Sequence, residues 1–143
     1  MIDIAYYKNH IYDVVGAIYE VHKELEPGLQ EACYQEGLEL QLSEQGISYC
    51  RERLIRPFYH GSQMKSFFKL DFLCKDDIVI ECKALSETGP TQRAQLFNYL
   101  RITKHPCGIL VNFSPSFATI ERYFYDKNLN EVLTIDDRIV RKP

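Results

Sequence analysis

Asp71, Glu81 and Lys83 lie either side of a polar Lys75-Asp76-Asp77 break, at spacings that could bring their charges together. If the flanking segments form a hairpin with that break as its loop, Asp71 falls directly across from Glu81. Strand alternation then puts Lys83 on the same face as Glu81. Two acids and an amine would converge at one end of a ribbon that is otherwise apolar: Leu70, Phe72, Leu73, Val79 and Ile80. Opposed like charges destabilise a sheet, and burying them costs several kcal/mol unless something neutralises them. Two arrangements would do so. In one, a divalent cation sits between the acids; oxygen ligands suit magnesium or manganese better than zinc, which prefers nitrogen and sulfur. In the other, Lys83 pairs with one acid and a different register turns the second to solvent.

Glu31 is a third carboxylate of interest, because it shares a helical stripe with Tyr34, Leu38 and Leu42. A carboxylate facing the core there needs a partner, which a shared metal would supply. The plainer reading is an acid near a helix N-terminus, worth ~0.3–1 kcal/mol from the helix dipole. Between Arg51 and Lys69 the chain places Arg51, Arg53, Arg56, Lys65 and Lys69 against the single acid Glu52. That cluster suits either a phosphate-facing surface or a solvated strand face.

The elements that must position these groups are legible in the periodicity. Ile11, Val14, Val15, Ile18, Val21 and Leu25 recur at three- and four-residue spacing, a helix ended by Pro27-Gly28. A second helix is expected from about Leu29 to Gln45, stopped by Gly46. Ile47 to Leu85 is rich in aromatic and branched residues and broken at His60-Gly61-Ser62 and Lys75-Asp76-Asp77, which fits three antiparallel strands. After Gly89-Pro90 a third helix runs from Thr91 to Lys104, with Gln95, Tyr99 and Ile102 on one side. Cys107 to Phe113 reads as a buried strand and Thr119 to Tyr125 as another, before a tail to Pro143. The expected order is ααβββαββ in a single domain over residues 1–143.

The bulk properties agree. A chain of 143 residues buries roughly two thirds of its unfolded surface, and 45% hydrophobic with 26% charged residues is an ordinary globular composition. Five scattered cysteines suit neither a disulfide framework nor a CxxC site, so a reducing cytoplasm is the expected compartment. The start, MIDIAYYKNHIYDVV, lacks the order of a signal peptide, and no apolar run nears the ~18 residues needed to span a bilayer. A formal net charge of −3 argues against strong indiscriminate binding to polyphosphate.

Gly28-Leu-Gln-Glu31-Ala-Cys-Tyr34 resembles the signature of the GxxExxY protein family, placed within the PD-(D/E)XK nuclease superfamily. Asp71, Glu81-Cys82-Lys83, Gln95 to Leu100 and Val111-Asn112-Phe113 look like that family's further motifs, in order, over about His10 to Tyr125. The resemblance implies a restriction-endonuclease-like α/β core, a mixed central sheet flanked by helices, with the hairpin acids and Glu31 meeting at one edge. It implies that Asp71 and Glu81 ligate Mg²⁺ or Mn²⁺, with Glu31 joining directly or through water. Lys83 would orient the attacking water and stabilise charge growing on the scissile phosphate. Gln95 would support the site by hydrogen bonding; Tyr99, which reads equally as a core residue, and His22, either a structural histidine of the first helix or a partner for Glu31, would be supporting residues.

The implied reaction is phosphodiester hydrolysis of nucleic acid, DNA first. Arg51, Arg53, Arg56, Lys65 and Lys69, joined by Arg93, would hold the backbone. Leu70 stands where the superfamily's name has proline, which touches strand geometry and removes no ligand. Two alternatives stay open: an interaction module that keeps the fold without turnover, and a subunit active only as a homodimer or with a partner protein.

Overall fold

The computed structural model describes residues 1–141; Lys142 and Pro143, the end of the expected tail, lie outside the described residues. The chain begins with α1 (Ile4–His10), α2 (Tyr12–Leu25) and α3 (Glu31–Glu44). The sequence reading missed α1, and the reason is physical: it has only seven residues, none fully buried, and only Ile4 and Tyr7 pack against the core; it starts on the Asp3 carboxylate, which accepts from Tyr6 N–H at 3.1 Å. In α2 the expected stripe is buried as Val14, Val15, Ile18 and Val21; in α3 it is Tyr34, Leu38 and Leu42.

There follow β1 (Tyr49–Ile55), β2 (Phe58–Tyr59), β3 (Ser62–Gln63), β4 (Phe68–Cys74), β5 (Ile78–Lys83), α4 (Pro90–Thr103), β6 (Cys107–Asn112), β7 (Thr119–Asp126), β8 (Glu131–Thr134) and β9 (Ile139–Arg141). The three strands expected before α4 are β1, β4 and β5. A small hairpin, β2–β3, interrupts them as a separate two-stranded sheet, and the tail supplies two more strands, so the order is longer than ααβββαββ.

The main sheet has seven strands in the order β1-β4-β5-β6-β7-β8-β9, flanked by the four helices. Every neighbouring pair is antiparallel except β5 and β6, which α4 joins as a crossover. All six residues of β6 are buried, as expected of a strand covered on both faces. At Gly108 an added Cβ would lie 2.8 Å from Leu100 Cδ1, so glycine there lets α4 press onto the sheet.

The sheet divides the core in two. On one face α2 and α3 cover Phe72, Cys74, Ile78, Ile80, Cys82 and Val111. On the other, Leu96 and Leu100 of α4 pack with Leu70, Val79, Leu110 and Tyr123. Each fully buried large aliphatic or aromatic side chain contributes roughly 1.5–3 kcal/mol, and both layers hold the hairpin β4–β5 from opposite sides. That hairpin occupies interior positions of the sheet, which corrects the expectation that the acids meet at an edge. All five cysteines are free, and no helix among the described residues is long and apolar enough to cross a membrane.

Candidate active site

The turn before α3 decides where Glu31 sits. Glu26 (φ 59°) and Gly28 (φ 108°) hold left-handed backbone, which glycine adopts without strain. Tyr34 closes this turn: its hydroxyl donates to the Glu26 carbonyl at 2.5 Å and accepts from Leu29 N–H at 3.2 Å. The Tyr34 ring is fully buried and stacks on Phe113 with centroids 4.7 Å apart. The glycine, the acid and the tyrosine therefore work together: one makes the turn, one locks it, and Glu31 is presented from the first turn of α3. Burial and the charge of Asp71 raise the Glu31 pKa, while Lys83 opposes them. Its Oε2 accepts from Gln35 Nε2 at 3.2 Å.

In the β4–β5 hairpin, Phe72 lies opposite Ile80, Leu73 opposite Val79 and Cys74 opposite Ile78. The loop between them is Lys75-Asp76-Asp77, with positive φ at Lys75 and Asp76. The ladder stops at Phe72 and Ile80, and Asp71 and Glu81, the two acids the loop length led us to expect together, meet just beyond it. There side chains replace the ladder: Asp71 N–H donates to Glu81 Oε1 at 3.3 Å, and Asp71 Oδ2 accepts from Cys82 N–H at 2.8 Å. The strand's facing changes at the same level, since Phe72 packs toward α2 and α3 whereas Leu70 packs with α4. Across β4 on the other side, Glu52 of β1 lies between the pairs Arg51–Phe72 and Arg53–Leu70, hence beside Asp71, with φ 56°.

The electrostatics follow from this crowding. Glu81 is only 3% exposed; burial and then the charge of Asp71 push its pKa up to about 9, against the Asp71 N–H and Lys83. Burial raises Asp71 too, and Glu52 adds to it, but the Cys82 N–H, Glu81 and Lys83 pull it down. Both carboxyls are thus raised on balance, Glu81 the further, so the pair holds a proton more readily than two free carboxylates would. Lys83 is half-buried and near enough to pull on all three acids, yet among the described residues its ammonium forms no salt bridge. The arrangement in which Lys83 pairs with one acid is thus not the one adopted.

Two adjacent carboxylates without a paired internal cation fit a divalent ion that prefers hard oxygen donors. Among the described residues no three His, Cys, Asp or Glu side chains converge as a ligand set. Water, a main-chain carbonyl, or Glu31 acting through water would have to complete the shell.

The remaining expected residues divide clearly. On α4, Gln95 is exposed, and Tyr99 one turn later stacks on Phe68 with centroids 4.4 Å apart. Burial, then the charges of Glu81 and Asp71, raise the Tyr99 pKa, which places the phenol beside the acids. His22 is buried, donates from Nε2 to the Pro115 carbonyl at 2.9 Å and stacks loosely on Phe113, so it braces the loop after β6 and not Glu31.

The expected cation set is partly spent inside the fold. Arg93 binds Glu121 through Nε at 2.7 Å and Nη2 at 3.0 Å, Arg51 pairs with Glu39 at 3.2 Å, and Arg56 donates to the Lys65 carbonyl at 2.7 Å. Arg53, Lys65 and Lys69 are exposed and form no ion pair among the described residues.

Asn112 was not singled out as a site residue by sequence reasoning. It is 1% exposed; its Oδ1 accepts from Leu85 N–H at 3.0 Å and Ser114 N–H at 3.2 Å, and its Nδ2 donates to the Leu85 carbonyl at 2.9 Å. Together with the Phe113 N–H bond to the Lys83 carbonyl at 2.9 Å, it fixes the strand end that carries Lys83. The available signal was a lone amide between Val111 and Phe113. Glu52 was likewise passed over as the odd acid in a basic stretch.

The family model of the PD-(D/E)XK nuclease superfamily matches residues 8–123. No curated protein matches the chain. The solved structure of SSO0001 is similar at 23% identity with a TM-score of 0.49, over 66% of this chain and 50% of that one, so the match spans half the length of that protein.

Proposed function

The chain belongs to the PD-(D/E)XK nuclease superfamily, and from that premise we propose that it hydrolyses phosphodiester bonds of nucleic acid at the Asp71, Glu81 and Lys83 centre. The observation that carries this reading is the interlocked carboxylate pair. Two acids replace the ladder hydrogen bonds inside a sheet, one of them nearly fully buried, and among the described residues no salt bridge reaches either. A purely structural descendant would have no need to keep them.

PD-(D/E)XK nucleases generally use divalent metals. Asp71 and Glu81 would hold magnesium or manganese, with Glu31 joining through water. Once bound, the cation supplies positive charge that screens the attacking and leaving oxygens. Asp71, held by the Cys82 N–H, keeps one carboxylate oxygen in a fixed direction. Lys83 offers an ammonium that forms no ion pair among the described residues, to orient a water and to balance charge on the phosphate oxygens. Gln95, exposed on α4, would support this arrangement on contact with substrate, and Tyr99, near the acids, would limit its movement. Within the superfamily, the roles of Gly28, Glu31 and Tyr34 support the GxxExxY branch. We take residues 1–143 as a single nuclease domain whose grip on the nucleic-acid backbone falls to Arg53, Lys65 and Lys69.

The direct test is cleavage of labelled DNA and RNA by the purified chain with Mg²⁺ or Mn²⁺. The wild type should nick one of them and Lys83→Ala should not. Equal activity in both would point to a contaminating nuclease. Binding without cleavage by the wild type would favour a non-catalytic module.

A further inference from the structure

Between β1 and β4 the chain leaves the main sheet as an arm whose apolar side chains face outward. Phe58 and Tyr59 are each 66% exposed, and Phe67 is 55% exposed. A mobile loop tip would scatter such residues, but here they are held. Phe58 pairs with Gln63 and Tyr59 with Ser62, and the Met64 N–H donates to the Pro57 carbonyl at 2.8 Å. Arg56 ties the base of the arm through the Lys65 carbonyl and lays its guanidinium over the Phe67 ring, 5.5 Å from the centroid. Tyr59 stacks on His60 with centroids 4.2 Å apart. The outcome is a set of fixed aromatic planes presented to solvent.

The arm, with the strand ends it springs from, is also basic. From Arg53 to Lys69 the chain contains four cations and no acid, against a net charge of −3 for the whole. It leaves the sheet where Ile55 faces Phe68. Because β4 and β5 are antiparallel, this is the end at which β5 delivers Lys83. Asp71 lies three residues along β4 from Phe68, about 10 Å at the usual strand rise.

Aromatic planes interleaved with cations are the means of holding unpaired nucleotides, whose base faces are free to stack while their phosphates meet the cations. In a duplex those faces are already stacked on one another. We propose that the β2–β3 arm is a stacking platform and that the substrate class is single-stranded or frayed nucleic acid, led from Phe58 and Tyr59 toward Asp71. As a statement about substrate it rests on the nuclease reading; as a binding surface it stands separately.

The test is fluorescence anisotropy in EDTA with the full chain and a labelled single-stranded DNA, the RNA of the same sequence, and the blunt duplex. At least one single strand should bind more tightly than the duplex, and the two strands together report the sugar preference. The double substitution Phe58→Ala with Tyr59→Ala should weaken single-strand binding by roughly five- to 150-fold per lost stacked base, without changing the salt dependence. The exposure of both rings means its melting temperature should match the wild type. Lys65→Ala and Lys69→Ala should each flatten the salt slope by about 0.7.

Equal or tighter binding of the duplex would overturn the proposal, as would unchanged affinity in the double variant. A wild-type dimer that the double variant dissolves, with single-strand affinity intact, would reassign the arm to self-association. Platform binding with no cleavage in Mn²⁺ would remove the nuclease reading and leave the platform. Duplex cleavage with no single-strand binding would do the reverse.

Discussion

Glu81 on β5 and Glu121 on β7 lie in one row of the sheet, both paired with Leu110 of the strand between them, roughly 10 Å apart. Glu121 has been answered from within the chain. Arg93 reaches it with two hydrogen bonds and the Tyr123 hydroxyl donates to it as well. Although burial raises its pKa, the bonds from Arg93 and Tyr123 prevail and hold it below the usual carboxylate range. Glu81, more deeply buried, receives one main-chain N–H and a second acid for a neighbour, and its pKa moves the other way. The fold thus has the means to neutralise a sheet carboxylate and applies them at Glu121. At Asp71 and Glu81, among the described residues, no cation closes into an ion pair, which suits a site for a cation and a phosphate.

The largest expected effect that separates the two regions is on cleavage. Asp71→Ala should lower the rate by about 100-fold or more, the scale for losing one fixed electrostatic contact to a transition state, while Glu121→Gln should leave it within a few fold. Single-turnover rates on one labelled substrate would check this; a comparable loss in Glu121→Gln would erase the distinction.

Stability should show the opposite ranking. Arg93→Ala strips Glu121 of its partner and should cost about 1–2 kcal/mol, a figure already reduced for the partial exposure of the guanidinium. Glu81→Gln in EDTA should cost less, or stabilise, because it removes a buried acid that nothing offsets. Urea unfolding of the two variants would decide; a larger loss for Glu81→Gln would contradict the account.

The pH profiles should differ in sign. Glu121 has a depressed folded pKa, so its contribution is present above its unfolded value near ~4.3 and is lost as pH falls through the folded one. Glu81 is raised to about 9 in the folded chain, so the native state binds the extra proton and stability declines as pH rises from ~4.3 toward that value. In metal-free buffer, Glu81→Gln should therefore flatten the alkaline side of a melting profile and Glu121→Gln the acid side. Identical profiles for the two variants would remove the contrast.

Much of the β4–β5 site was legible because it rests on local rules. A three-residue loop and a period of two suffice to set Asp71 opposite Glu81, and a helical turn suffices to put Glu31 and Tyr34 on one face of α3. What escaped depends on distant or unpatterned contacts. Arg93 looked like a free cation because its partner is 28 residues away, on β7. The β2–β3 arm has two residues per strand, all exposed, so no alternation announces it. The interior place of the hairpin follows from the α4 crossover and the strands after it, none of which the hairpin itself encodes. The left-handed backbone at Glu52 has no glycine to signal it.

A cation titration in the absence of nucleic acid would decide whether Asp71 and Glu81 form a site at all. Mn²⁺ at ~100 dissociation constants should stabilise the wild type by ~2.7 kcal/mol, with no such gain in Asp71→Ala and the full gain in Glu121→Gln. An unshifted wild-type unfolding transition across that titration, or the same shift in Asp71→Ala, would contradict a metal site between these acids.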